Sequence, residues 1–343
     1  MSIPIQNIYF LLSYAWNKLE EAERVKVDVR DITNLPSLFA KVLVNATSIL
    51  LKRCLEQDYI AHQCEIAGIK GKFSLSETVK KNLIHKQKTI CVFDDYSVNI
   101  LSNQILITTL HNLLKLNELD TGLKRDVKAT IRRLPVISPI KLNLRIFKQV
   151  TLHRNNQIYG FIINICQILY ENLLPSENGG ELTFVDFTRD ERKMAYLFEN
   201  FVRNFYCKEQ NQYSVGSKKI SWQLIGDSQD YLPSMYTDIT LDNPIKRIII
   251  DTKFYQQTLA KHYAKEKVHS HNIYQLFSYL INQRSNTDHQ KTHTTTGILL
   301  YPTIDAEYNF SYQFEQHPIY IRTIDLNTDS SKIAERLLRI IEN

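Results

Sequence analysis

Arg247-Ile248-Ile249-Ile250-Asp251-Thr252-Lys253-Phe254-Tyr255 is the stretch on which the reading of this chain turns. Its isoleucines form a β-branched run long enough for a buried strand, and polar residues follow at once. Successive side chains of a strand point to opposite faces, so Asp251 and Lys253 project on the same side and can reach one site. Upstream, Met235-Tyr236-Thr237-Asp238-Ile239-Thr240-Leu241 reads as a second strand, and Asp242-Asn243-Pro244 supplies turn residues between the two. The resulting hairpin brings Asp238 towards Asp251.

Two carboxylates beside a lysine suit a divalent cation held against a phosphodiester. Magnesium prefers near-octahedral oxygen coordination and keeps several waters, which fits two carboxylates, a backbone carbonyl and a substrate phosphate. In such a site the metal is a Lewis acid, while Lys253 orients or helps deprotonate the attacking water and balances charge on the pentavalent phosphate. The acid-any-lysine spacing is common by itself: Asp126-Val127-Lys128 and Glu191-Arg192-Lys193 repeat it in charged, helix-like surroundings. The Asp251 to Lys253 copy differs in following a buried-strand pattern with an acid on a partner strand.

Helices are expected on both sides. In Met194-Ala195-Tyr196-Leu197-Phe198-Glu199-Asn200-Phe201-Val202-Arg203-Asn204-Phe205, positions 194, 197, 198, 201, 202 and 205 define one apolar helical face. Glu199 borders it, either as a further metal or water ligand or as a plain boundary carboxylate. Downstream, Ile273, Leu276, Phe277, Leu280 and Ile281 form another stripe, with His271, Gln275 and Tyr279 on a second face at i, i+4 spacing. That second face suits phosphate binding or orientation of the lysine; an ordinary solvated surface has the same pattern.

The order of these segments resembles the PD-(D/E)XK nuclease core, including the Gln-x-x-x-Tyr element of some members, here Gln275 and Tyr279. More specifically, the chain resembles the McrC family, the nuclease subunits of McrBC modified-cytosine-dependent restriction systems. The resemblance is collinear over nearly the full length. It runs through Ile3-Pro4-Ile5-Gln6-Asn7-Ile8-Tyr9, Tyr14-Ala15-Trp16, Gly68-Ile69-Lys70-Gly71-Lys72, Phe93-Asp94 and Arg133-Leu134-Pro135, then Thr237-Asp238-Ile239, Asn272-Ile273-Tyr274-Gln275-Leu276 and Leu300-Tyr301-Pro302. It implies an Mg2+-dependent endodeoxyribonuclease in which Asp238 and Asp251 are the metal ligands and Lys253 is the water-orienting lysine, with Gln275 and Glu199 as further catalytic residues. It also implies a partner, an McrB-like AAA+ GTPase that forms hexamers, binds GTP itself, is stimulated by this chain, and reads modified cytosine in double-stranded DNA. Self-association within the assembled complex would follow. A non-cutting adaptor for such a GTPase, or a stand-alone nuclease of the same core acting in DNA repair or on RNA, are the alternative readings.

A chain of 343 residues is long for one core, and 43% hydrophobic content with 9 glycines and 9 prolines fits folded rather than disordered material. The turn-rich cluster Leu174-Pro175-Ser176-Glu177-Asn178-Gly179-Gly180 follows an apolar helical stretch over 158–173 and suggests a boundary. The expected architecture is therefore mixed α/β. A partner-binding amino-terminal domain spans 1–175, helical over such patterns as 38–51 and 103–116, and an α/β nuclease domain spans 181–343. The apolar stretches at 8–16 and 158–173 are too short or too polar to span a bilayer, so a cytoplasmic protein is expected. A polar loop is expected over 286–297.

The formal charge of +6 is mild support for a polyanionic partner. Lys261, Lys265 and Lys267, just after the catalytic strand, are candidates for phosphate contact. Lys70, Lys72, Lys80 and Lys81 suit the GTPase partner, DNA or plain solvent. Gly68-Ile69-Lys70-Gly71-Lys72-Phe73 is not a phosphate loop, having two residues between its glycines and Phe73 where Ser or Thr is required. His262, His269 and His271 with five scattered cysteines lack any recognised zinc spacing, and that cysteine pattern suits reduced thiols.

Overall fold

A computed structural model describes residues 3–25, 27, 32–153, 156–176, 180–255, 260–262, 265–283, 294–303 and 307–342, the side chains at 229, 260–262 and 265–267 excepted. The expected lysine contacts at 261, 265 and 267, and the His262 side chain, lie outside the described residues. The chain divides into two compact units, one made of Met1–Ala22 with Asp186–Asn343 and the other of Glu23–Val185.

The Glu23–Val185 unit contains helices α2 (Leu35–Arg53), α3 (Leu101–Leu114), α4 (Thr121–Arg133) and α5 (Gln157–Asn172), and strands β1 (Asp58–Ile66), β2 (Lys72–Phe73) and β3 (Thr89–Ser97). The carboxamide oxygen of Asn34 accepts the Ser37 N–H at 2.8 Å and caps α2 at its start, where Pro36 is also tolerated. Leu38, Phe39, Val42, Leu43 and Ala46 of α2 are completely buried. This helix is long and apolar enough to cross a membrane, but most of it is buried inside the unit, where it is the core. The strands form an antiparallel sheet in the order β1-β3-β2, and Lys70 places its ammonium 3.9 Å above the Phe93 ring.

The other unit begins with α1 (Ile5–Ala15) and resumes with α6 (Glu191–Glu209), β4 (Ser214–Gly216), β5 (Ile239–Asp242), β6 (Arg247–Thr252) and α7 (Ser270–Asn282). It ends with β7 (Thr296–Thr303), β8 (Asn309–Phe314), β9 (His317–Asp325) and α8 (Ser330–Glu342). Its sheet has the order β8-β9-β7-β6-β5-β4, with β6, β7 and β9 parallel at the centre and antiparallel strands outside them. Parallel strands are covered on both faces, so Ile248, Ile249 and Ile250 can all be buried in succession. One face packs on α7 through Ile249, Leu299, Leu276, Leu280 and Tyr279. Gly297 lets that helix come close, since a Cβ there would lie 3.0 Å from both Leu276 and Leu280.

Two expectations about organisation need correction. The first 22 residues do not belong with the amino-terminal domain. The Phe10 and Tyr14 rings of α1 pack on Phe201 of α6 with centroids 5.6 and 5.8 Å away, and the Tyr14 hydroxyl donates to Glu209 at 2.7 Å. Asn7, fully buried, donates to the carbonyls of Leu326 and Thr328 at 2.8 and 2.7 Å, tying α1 to residues more than 300 positions away in sequence. The turn-rich cluster at 174–180 is likewise not the boundary. Leu173–Pro175 pairs antiparallel with Leu182–Phe184, so the chain returns to the Glu23–Val185 unit before leaving it. The loop expected over 286–297 lies outside the described residues through 293, but Thr296 and Gly297 already belong to β7.

Candidate active site

The β5–β6 hairpin forms in the expected place, with Ile239 opposite Ile250 and Asp242 opposite Arg247. Its closed end is fixed by Asp242, which accepts from Arg247 Nε and Nη2 at 3.2 and 3.1 Å, and by Asn243, whose side-chain oxygen accepts the N–H groups of Ile245 and Lys246. The upstream strand is not continuous over 235–241. It breaks at Thr237 and Asp238, where the Thr237 N–H donates to the Lys218 carbonyl at 3.0 Å and Ser217 donates to the Thr237 carbonyl at 2.6 Å. The break frees Asp238 from the ladder. Its carboxylate instead accepts the Thr252 N–H at 2.9 Å and the Thr252 hydroxyl at 3.2 Å, a side-chain substitute for the next rung.

Asp251 is completely buried, with the Lys253 ammonium 2.8 Å from one oxygen. No other described residue donates to either carboxylate oxygen. Burial pushes the Asp251 carboxyl up to about 7, with Lys253 opposing the shift and Asp238 and Glu199 adding to it. Burial would lower the Lys253 ammonium, but Asp251 and Asp238 outweigh it and hold the group above its ordinary value. Lys253 is therefore a fixed cation.

Glu199 on α6 joins the cluster. Burial and the charge of Asp238 raise its carboxyl, against Arg203 and Lys253. Arg203 pairs with Glu199 and also donates from Nε to the Asp238 carbonyl at 3.2 Å. All six apolar positions expected on this helix are buried or nearly so, which sets Glu199 at the rim of the packed face.

On α7 the polar stripe divides. Gln275 donates to the Tyr279 hydroxyl at 2.6 Å, and it is Tyr279 that feels Asp251, Asp238 and Lys253 directly. Burial is the main reason its phenol is raised, so it stays protonated. Gln275 therefore reaches the cluster through Tyr279. His271 is exposed and turns to the Tyr255 hydroxyl, 3.0 Å away. Ile281, expected on the apolar stripe, is 42% exposed at the helix end.

Sequence reasoning missed a buried polar chain beside the acids. Asn272, fully buried, donates to the Tyr301 hydroxyl at 2.9 Å and accepts from the Tyr255 hydroxyl at 3.2 Å. Leu299 pairs with Asp251, and the pleat puts Tyr301 on the same face two residues further on. Burial of the Tyr301 phenol raises it beyond the physiological range. The available signal was a tyrosine closing the apolar run Ile298-Leu299-Leu300, together with an Asn at the start of a helix, a place where Asn is usually a cap.

The donor set fits a hard divalent cation. Burying a carboxylate is expensive unless it is protonated or compensated by cations, and among the described residues Asp251 has only Lys253 against it, at one of its two oxygens. Among the described residues no three His, Cys, Asp or Glu side chains are grouped to share one ion. Further ligands would have to be water, backbone or substrate oxygens, the usual company of Mg2+.

Fold and site thus define a mixed α/β protein with a buried acid–lysine cluster at the carboxyl end of its central parallel strands. The chain belongs to the family of McrBC 5-methylcytosine restriction system components, which matches residues 6–302. A curated relative, the type IV methyl-directed restriction enzyme EcoKMcrBC of Escherichia coli strain K12, is 30% identical over 343 residues, covering 99% of this chain and 97% of the relative. Among solved structures, a refined half-complex from the tetradecameric assembly of Thermococcus gammatolerans McrB AAA+ hexamers with bound McrC has the same fold, with a TM-score of 0.62 at 15% identity. That match covers 99% of this chain and 76% of the other.

Proposed function

We propose that this chain is the DNA-cutting subunit of a GTP-driven restriction system directed at modified cytosine, an Mg2+-dependent endodeoxyribonuclease with a PD-(D/E)XK core. Its partner is an McrB-like AAA+ GTPase hexamer that binds GTP and that the Glu23–Val185 unit contacts and stimulates. Family membership and the full-length relationship to a type IV methyl-directed enzyme support the system, and the AAA+ hexamers named in the related assembly support the partner. The cutting reading is carried by Asp251, a fully buried carboxylate set against the Lys253 ammonium at 2.8 Å and close enough to Asp238 for their charges to interact.

Asp238 and Asp251 would hold Mg2+, which when bound supplies Lewis-acid stabilisation of the phosphoryl group. Lys253, whose ammonium the two acids favour in the metal-free protein, would stabilise the charge that builds on the pentavalent phosphate and orient the attacking water. Asp238 also fixes the strand end through Thr252, which holds Asp251 and Lys253 in register with it. Tyr279, kept protonated and braced by Gln275, offers a hydroxyl to the same anionic centre. Glu199 adds negative charge at the rim, restrained by Arg203.

The test is plasmid cleavage with Mg2+ and GTP, on methylated and unmodified DNA, by this chain with its AAA+ partner and by an Asp251→Ala control. Cutting that requires partner, GTP and Asp251 is expected. Stimulation of the GTPase with no cutting on any substrate would make the chain an adaptor, and cutting without partner would make it an independent nuclease.

A further inference from the structure

Residues 121–148 hold eight lysines and arginines and one acid, a local balance of +7 against +6 for the whole chain. The protein's positive charge is therefore a property of one segment, and the remainder is close to neutral. The segment forms α4, the stretch after it, and a short helix, Leu144–Gln149.

Along α4, Val127 and Thr130 are buried, with Leu123 and Ile131 half-buried beside them. At about 100° per residue, Lys124, Arg125, Lys128 and Arg132 fall within about 100° of arc on the other side. Arg125, Lys128 and Arg132 are exposed, with Lys124 half-buried at the edge of the face. Asp126 points away from that face to Lys41, 3.4 Å distant. None of the four cations is in an ion pair with a described residue, and the same holds for Lys141, Arg145 and Lys148, which are exposed further along the segment.

Helix stability does not account for this arrangement. Arg132 sits in the last turn, where a cation complements the helix dipole, but Lys124 and Arg125 lie near the amino-terminal end, where it opposes it. Lys124 with Lys128, and Lys128 with Arg132, are like charges at i, i+4, which repel. The face is also wrong for the core of a protein interface, where charged residues are depleted and aromatic side chains concentrate. Surfaces that meet DNA are polar and strongly positive, as this one is. From Lys124 to Arg132 is about 12 Å of helix at 1.5 Å per residue, a length over which one DNA strand presents about three to four phosphates.

We propose that this face of α4 binds the phosphate backbone of duplex DNA without regard to base sequence. The proposal rests on DNA being the substrate.

The test uses the full chain carrying Asp251→Asn, to prevent cutting, and a fluorescein-labelled unmodified duplex followed by anisotropy across a salt series. Replacing Lys124, Arg125, Lys128 and Arg132 together by Gln should weaken binding about tenfold or more at moderate salt and reduce the slope of log affinity against log salt by about three to four. Unchanged affinity and slope, or no duplex binding by the parent at any salt, would overturn the proposal. The charge-preserving set K124R, R125K, K128R and R132K should bind as the parent does; if it also fails, packing and not charge explains the loss and the proposal falls. If the Gln variant binds DNA normally but no longer stimulates the partner GTPase, the face docks an acidic protein surface instead. Failure of the chain and its partner to cut any DNA, alongside a salt-dependent loss of binding in the Gln variant, would sink the nuclease reading and leave this surface standing.

Discussion

Asp251-Thr252-Lys253 and Asp126-Val127-Lys128 have the same spacing, and their side chains end up in opposite situations. On strand β6 the two charged groups share a face and meet at 2.8 Å with the carboxylate wholly buried. On helix α4 a separation of two residues turns them about 200° apart, so Asp126 pairs with Lys41 while Lys128 stands in solvent. The pitch of the backbone decides whether the triplet is a site, and the dielectric around it decides what its charges do. Buried charges interact strongly at short range and shift one another's protonation, whereas exposed ones act through a screened field whose strength salt controls.

The most damaging change to the buried triplet should be Asp251→Ala, which is expected to lower DNA cleavage by about a thousandfold or more while the fold and GTPase stimulation persist. Retained cutting would remove Asp251 from the site. Lys253→Ala should follow, with cleavage down about a hundredfold and Mg2+ still bound; loss of metal uptake would mean that the lysine organises the ligands rather than the phosphate.

The elevated Asp251 carboxyl gives the comparison a pH dependence. A cation must displace the proton, so Mg2+ affinity measured by calorimetry should rise with pH up to about 7 and level off above it. Affinity independent of pH would exclude Asp251 as a ligand. Between about pH 4 and 7 the folded protein retains a proton that an unfolded Asp has already released, so the metal-free protein loses stability as pH rises through that window. Asp251→Asn removes this loss. In EDTA at pH 8 the variant should be more stable than the parent by about 1–3 kcal/mol, net of the Lys253 contact it gives up, with the difference closing towards pH 4. A parent that melts higher than the variant at pH 8 would contradict the burial argument.

The smallest effect belongs to the helical copy. Asp126→Asn should alter stability by less than about 0.5 kcal/mol, since its pair with Lys41 is exposed, and leave cleavage rates intact. A strong cleavage defect there would show that the triplets are less different than their surroundings imply.

Much of the site could be read before any coordinates. The isoleucine run announced a strand covered on both faces, the pleat put Asp251 and Lys253 together, and turn chemistry at Asp242-Asn243-Pro244 brought Asp238 alongside. The stripe from Met194 to Phe205 located α6 because helical periodicity depends on neighbours a few residues apart. The Gln275 and Tyr279 pair was also visible as i, i+4 spacing, but their order was not: Tyr279 faces the acids and Gln275 braces it.

Long-range pairing escaped the same reasoning. Nothing near Asn7 indicates that it will bond carbonyls at 326 and 328, and nothing near Asn272 indicates Tyr301. Likewise, turn residues at 174–180 mark a reversal of the chain without saying that the returning strand pairs back into the Glu23–Val185 unit. The basic face of α4 lay in plain view as composition, yet it needed the helix's buried side to show which cations share a surface.

Local covalent geometry therefore settled element type, facing and the meeting of Asp251 with Lys253, because side-chain direction repeats with a period of two or 3.6 residues along the backbone. Packing settled the rest: the depth of burial that lifts Asp251, the break at Asp238 that turns its carboxylate onto Thr252, the docking of α1 on α6, and the Asn272–Tyr301 link. Each depends on segments that meet only when the chain folds, and desolvation, which gives the site its chemistry, exists only once they have met.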